Sequence, residues 1–317
     1  MARVAAIDCG TNSIRLLVAD VTVRDDGTSW LRDVHREMRI VRLGQGVDAT
    51  GMLAPEALAR TKAALVDYAG IAARKGVERA RMVATSATRD AGNRDDFFSM
   101  TADVLGSPAE VISGDEEARL SFAGAVGDLD PEDGPFLVMD VGGGSTELVL
   151  GTWDGKKADV QVARSVNVGC VRVTERCLHS DPPTADEVEQ AVRMASAVLA
   201  DAFAAVPLEQ ARTFIGVAGT VTTMSAVHMG LPEYDSEVLH LSRLSMAAIE
   251  STTASLVGMT RADRAAIGSM HPGRVDVIAG GALVTRTVAR EVAARAGIAD
   301  LVVSEHDILD GIALSLA

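Results

Sequence analysis

Cysteine is scarce in this chain: 3 residues among 317, at Cys9, Cys170 and Cys177, with no CxxC pair. An odd, widely spaced set does not make a disulfide framework and fits reduced thiols of a cytosolic protein, buried as small hydrophobes. Long apolar runs are missing too. Asp8 interrupts the opening MARVAAIDCG before it could form the core of a signal peptide, and no uncharged stretch approaches the ~20 residues that cross a bilayer. Positive charge is in deficit, with 30 Lys and Arg against 44 Asp and Glu for a net charge of −14. That balance argues against nonspecific binding to nucleic acid or membrane. It leaves an anionic substrate open, because screening over about 8 Å makes the local field of a site matter more than the total. The expectation is a soluble, cytoplasmic protein with no nucleic-acid or membrane partner.

Familiar phosphate and nucleophile signatures are also absent. No GxxxxGK[ST] loop occurs, and GGSTE puts Glu147 where a GxSxG elbow needs glycine. GQGVDA, from Gly44 to Ala49, follows a strand and mimics a dinucleotide fingerprint, but the next helix opens only at Pro55, so the segment reads as a plain loop.

What is present is a globular α/β chain, 48% hydrophobic and long enough for two domains. Strand patterns cover Arg3 to Asp8, Ile14 to Val21 and Glu37 to Leu43, followed by a helix from Pro55 to about Lys75. Arg81 to Ser86 reads as strand, Arg94 to Leu105 as helix, Glu110 to Ile112 as strand and Asp115 to Val126 as helix. After the acidic turn DLDPEDGP the plan restarts. Strands are expected over Phe136 to Val141, Glu147 to Gly151 and Ala158 to Asn167. Two helices follow, the second opened by a capping box at Thr184 to Glu187. Strand at Thr213 to Val217, helix at Val221 to His228, a long helix over Val275 to Arg295 and strand at Asp300 to Ser304 complete the pattern. The implied domains are 1–124 and 125–317, face to face with a short hinge near Gly124.

The two halves repeat at residue level. DCGTNSIRLLV, from Asp8, aligns with DVGGGSTELVL, from Asp140, so that Asp8 meets Asp140, Gly10 meets Gly142, Ser13 meets Ser145 and Leu16 meets Leu148. Each is strand, tight turn, strand. Glycine permits positive φ and close backbone approach, so each turn can offer amides to phosphate oxygens, with Asn12, Ser13, Ser145 and Thr146 adding side-chain donors. Asp8, Asp140 and Glu147 cannot bind phosphate directly and fit a hard divalent cation or its waters. The plainer reading, loose β-turns with solvated acids, is harder to sustain for a matched pair than for one turn.

Three further stretches could carry chemistry. SGDEEAR places Asp115, Glu116 and Glu117 in the first turn of a helix, where the dipole alone favours acids and a catalytic role competes with that. Arg89, in TSATRDA after a strand end, could fork onto a phosphate or serve as an ordinary ion-pair partner. GVAGTVTT, with Gly219 and Thr220 at a strand-to-helix turn, suits an anion or nucleotide edge, or ordinary packing.

Taken together, DCGTNSIRLLV, TSATRDA, ISGDEEARLSFAGA, DVGGGSTELVLG, VGCVRVTE, GVAGTVTT, RVDVIAGGALV and VSEHDILDGI, in this order, resemble the exopolyphosphatase and guanosine pentaphosphate phosphohydrolase (Ppx/GppA) family from about residue 3 to 315. The resemblance implies two duplicated actin-like, ribonuclease H-like domains with an interdomain cleft. It implies magnesium, or manganese in its place, and release of terminal orthophosphate from inorganic polyphosphate or guanosine pentaphosphate. By position it makes Glu117 the glutamate that activates water and Arg89 an arginine on the phosphate. Asp140 and Glu147 become metal-associated acids, with Asp8 alongside them. Phosphate contacts are expected from Gly10, Thr11, Asn12, Ser13, Gly142, Gly143, Gly144, Ser145, Thr146, Gly219 and Thr220. A homodimer is the expected assembly.

Two departures stand out. Cys9 and Thr11 occupy positions where the family's first motif commonly reads DxGSNS, a mild change. The chain ends at Ala317 without the helical HD-type domain of long members, and His306-Asp307 is not that domain, so long-chain processivity is in doubt. A sugar or acid kinase, and a nonenzymatic actin-like filament or nucleotide sensor, share the paired turns and compete with the hydrolase reading.

Overall fold

The computed structural model describes the whole chain, Met1–Ala317. Its contacts define two compact units: Met1–Gly127 with Asp154–Lys157 and Asp307–Ala317, and Asp128–Trp153 with Ala158–His306. The return of the last segment to the first unit departs from a simple division at residue 124. No helix is long and apolar enough to cross a membrane.

The first unit runs β1 (Ala2–Cys9), β2 (Ser13–Val23), β3 (Ser29–Ile40), α1 (Val47–Thr50), α2 (Pro55–Arg74), β4 (Arg79–Ala84), α3 (Ser86–Asp90), α4 (Arg94–Leu105), β5 (Glu110–Val111) and α5 (Gly114–Ala125). Its mixed sheet has the order β3-β2-β1-β4-β5. Both faces of the central strands are covered, so they read as continuous apolar runs. Ala5, Ile7 and Cys9 point into one core with Leu65, Tyr68 and Phe97, while Val4 and Ala6 point into another with Ile112, Ile308 and Ile312. The period of two puts Asp8 on the second of these faces.

The second unit runs β6 (Phe136–Val141), β7 (Thr146–Trp153), β8 (Ala158–Val166), α6 (Cys170–Cys177), α7 (Ala185–Ala205), β9 (Thr213–Val217), α8 (Ala218–His228), α9 (Ser236–Leu239), β10 (Arg243–Ser245), α10 (Met246–Gly258), α11 (Arg261–Ala265), α12 (Ile278–Ala296) and β11 (Asp300–Val303). Its sheet order, β10-β11-β9-β6-β7-β8, is the first unit's order read in reverse with an edge strand added. The duplication reaches a local irregularity: the outer strand pair slips register between Val18 and Ala19 in β2, and between Leu150 and Gly151 in β7. These are equivalent positions in the aligned repeats.

Several elements differ from the sequence expectation. β3 begins at Ser29, well before Glu37, because this edge strand is charged and only partly covered, which leaves little apolar alternation to read. GQGVDA is not all loop, since α1 is a helical turn entered and left through left-handed Gly46 and Gly51. A final helix, α13 (Ile308–Leu314), completes the first unit. It also explains Gly124, which lies inside α5 and is not a hinge. A Cβ at Gly124 would sit 1.8 Å from the Asp307 carbonyl oxygen, and one at Gly311 would sit 2.0 Å from that of Leu120. The two helices pack backbone against backbone, which only glycine allows.

Candidate active site

The first turn closes when the Gly10 N–H donates to the Ser13 carbonyl at 2.9 Å. Its own carbonyls are occupied: Asn12 O accepts from Val41 and Arg42, and Thr11 O accepts from Gly44. A Cβ at Gly44 would come within 2.3 Å of the Thr11 methyl, so this loop lies directly against the turn. Carbonyls held on one side leave the peptide planes' N–H edges for the other. The Thr11 hydroxyl is paired with Ser86 at 2.8 Å, inside the protein.

Asp8 faces Arg15, its cross-strand partner. The guanidinium gives Asp8 Oδ2 two hydrogen bonds, at 2.7 and 3.1 Å, and reaches Asp307, the N-cap of α13, with its third nitrogen. One arginine thus serves two buried carboxylates. Burial pushes the Asp8 carboxyl above its ordinary value against the pull of Arg15. Burial opposes ionisation of Asp307 as well, but Arg15, the Leu309 amide and Arg36 hold it below the usual range. Asp8 Oδ1 is buried without a hydrogen-bond partner.

The structure separates the three acids of SGDEEAR. Ser113 caps α5 by accepting from the Glu116 amide, which fixes the first turn. Asp115 pairs with Arg119 at the surface, and Glu116 with Arg81 at 2.6 Å. Glu117 is only 8% exposed, and Arg89 Nη1 donates to its Oε2 at 2.6 Å and to the Ile112 carbonyl at 3.0 Å. The helix dipole accounts for acids in this turn. It does not account for burying one of them.

In the second unit Gly142 N–H donates to Ser145 O at 3.0 Å, matching the first turn. Gly142 O accepts from Cys170, Gly143 O from Val171 and Arg172, and Gly144 O from Arg172 Nε. None of the turn glycines is left-handed. Close approach is demanded at Gly169, which packs on the turn: a Cβ there would lie 2.6 Å from both Gly142 O and Gly143 O. The Thr146 hydroxyl is not available to a phosphate, because it is fully buried and donates to Val168 O at 2.6 Å. Thr220 is spent similarly on Val141 O at 3.3 Å.

Asp140 and Glu147 are directly opposed across β6 and β7, 6% and 1% exposed, on the face away from the core formed by Leu137, Met139 and Val141. Ser165 donates to Glu147 Oε1 at 2.7 Å. Adjacent buried carboxylates repel when both are ionised, and hard oxygen donors of this kind suit Mg2+ or Mn2+. The pair therefore fits a divalent cation. Asp8, engaged by Arg15, fits only a contact through Oδ1 and water.

Sequence reasoning missed Arg274. It covers Gly219, whose Cβ would lie 2.0 Å from the guanidinium, and donates to Gly219 O at 2.9 Å and Thr223 Oγ1 at 2.8 Å. Beside it Ala218 holds φ of +64°, a strained value for a residue with a side chain. RVDVIAGG was the signal in the sequence, because Gly280 and Gly281 let α12 meet Cys170, Thr174 and Thr220 at contact distance. The cysteines take no part: all three are buried free thiols, and burial pushes Cys170 up to about 11.

The family model for Ppx/GppA phosphatases matches residues 21–316. Exopolyphosphatase 2 of Mycobacterium tuberculosis is 59% identical across 100% of this chain and 99% of its own length. Among crystal structures, an exopolyphosphatase-like protein is 46% identical with a TM-score of 0.92, over 99% of this chain and 98% of that one. The PPX-GPPA enzyme of Aquifex aeolicus is 30% identical with a TM-score of 0.78, covering 99% of both chains. On the family match and the full-length similarity, the chain belongs to the Ppx/GppA phosphatase family.

Proposed function

We propose that this protein is an exopolyphosphatase that hydrolyses the terminal phosphoanhydride of inorganic polyphosphate and releases orthophosphate. Full-length similarity to a protein of that name supports the substrate. The observation that carries the mechanism is Glu117, a buried carboxylate held by an arginine.

Phosphoanhydride hydrolysis needs positioning and charge neutralisation more than covalent chemistry. The amides of Thr11 to Ser13 and of Gly143 to Ser145 bind phosphate oxygens, with the Ser13 hydroxyl as a further donor; the Gly10 and Gly142 amides are spent closing their turns. Asp140 and Glu147 would hold a divalent cation, which would supply neutralisation of phosphate charge. Arg89, a fork of donors, turns from Glu117 to the terminal phosphoryl group, and Glu117 is released to orient a water and take its proton. Thr146 and Thr220 contribute through their backbone only, since their hydroxyls are engaged.

A positioned general base is worth about 10² to 10⁴ in rate. Glu117→Gln should therefore keep the fold and polyphosphate binding and lose phosphate release by that factor. The deciding assay measures released phosphate from short polyphosphate, long polyphosphate, guanosine pentaphosphate and ATP, with and without Mg2+. Release from polyphosphate that requires the metal supports the proposal. Turnover of guanosine pentaphosphate alone would reassign the substrate within the family, and full activity of Glu117→Gln would remove Glu117 from its role.

A further inference from the structure

The second unit also gathers two histidines and an aspartate. Asp128 opens the unit, His240 follows α9, and His306 closes the segment after β11. Asp128 Oδ2 lies 2.6 Å from His306 Nδ1 and 3.3 Å from His240 Nε2. The two rings meet at a tilt of 43° with centroids 4.6 Å apart, and one donor atom from each of the three residues lies within 4.8 Å of the others. None of the three has a place in the reaction proposed above.

We propose that Asp128, His240 and His306 bind one divalent transition-metal ion of the zinc class. Two imidazoles and one carboxylate favour such ions over Mg2+ or Ca2+, which prefer all-oxygen sites. In a tetrahedral site with metal–ligand bonds of ~2.0–2.1 Å, ligand atoms stand about 3.3 Å apart. The His240–Asp128 separation already has that value. The His306–Asp128 contact is a hydrogen bond and must open, which a small rotation of Asp128 accomplishes, since its side chain is 46% exposed. The imidazoles, 22% and 35% exposed, leave a path from solvent and room for a water as fourth ligand.

Binding has an identifiable cost. The Glu305 amide donates to His240 Nδ1 at 3.2 Å, so the proton of a neutral His240 ring sits on Nε2. A metal at Nε2 moves that proton to Nδ1, and the amide hydrogen bond is given up. The ring keeps its one proton through this shift. Metal uptake also ties the first residue of the unit to its last, which raises thermal stability by mass action.

The test uses the full chain, stripped by chelator and titrated with Zn2+ by calorimetry in excess Mg2+, so that the carboxylate pair is already supplied. The expected result is one Zn2+ per chain, with affinity about tenfold or more weaker in His240→Ala and in His306→Ala. Co2+ in place of Zn2+ should give the visible absorption of a four-coordinate site in the wild type and not in these variants. Circular dichroism verifies their folding. If His306→Ala does not fold, His240→Gln, whose amide can still donate to Asp128, decides between a metal site and a hydrogen-bonded cluster. Unchanged stoichiometry and affinity in the folded variants, or no binding to the wild type, overturns the proposal.

Discussion

The two hairpins share a backbone and differ in charge. Gly10 and Gly142 close their turns on Ser13 and Ser145 with the same hydrogen bond, and both outer strands carry the same register slip. Yet the acid before the first turn faces Arg15, whereas the acid before the second faces Glu147. A duplicated frame thus carries a neutralised carboxylate in one copy and a like-charged pair in the other. The first is anchored by Arg15, and the second sets two acids side by side.

The largest expected effect of breaking this contrast is on stability. Arg15→Met leaves Asp8 and Asp307 buried without their shared cation and should cost about 3 kcal/mol or more, read from chemical denaturation. The complementary change, Glu147→Gln, should leave the fold intact and reduce metal-dependent phosphate release by about 10²-fold, with the remaining activity needing more Mg2+. Smaller still is a steric contrast. Gly169→Ala drives a methyl into Gly142 and Gly143 and should cost about 1–3 kcal/mol, whereas Gly10→Ala, whose Cβ would meet Ser13 O at an ordinary 3.5 Å, should cost less. Thermal melts of the two variants compare them directly.

Acid provides the mildest separation. Asp20, near the far end of β2, accepts from Arg3 and Arg32, and these hydrogen bonds lower its pKa to about 2. A depressed carboxylate stabilises the fold above its unfolded pKa of about 3.9, and that contribution fades as pH falls through the folded value. Thr152 occupies the aligned position in β7 and does not titrate. Wild type and Asp20→Asn should therefore differ in a pH dependence of stability confined to roughly pH 4 to 2.

Much of this arrangement is legible in the sequence, because strands covered on both faces announce themselves as apolar runs and an acid at such a strand's end is conspicuous. Hence Asp8, Asp140 and the paired turns stand out without coordinates. Arg15 does not, since a charged residue beside a turn looks the same whether it faces water or a buried carboxylate. The burial of Glu117 is equally silent: three consecutive acids look equivalent until the helix assigns each its own arginine. Gly124 misleads for a related reason, because a glycine that loosens a chain and one that admits a neighbouring backbone are spelled alike. Thr146 and Thr220 show the limit for hydroxyls, whose partners only the fold reveals.

The helix that seats Gly311 against Leu120 is drawn from the last residues of the chain. During synthesis the unit that emerges first therefore waits longest: until Ile308 and Ile312 leave the ribosome, Val4, Ala6 and Leu17 have no apolar cover from them. The second unit, begun later, holds nearly all its own residues by then. The order of birth and the order of completion are reversed.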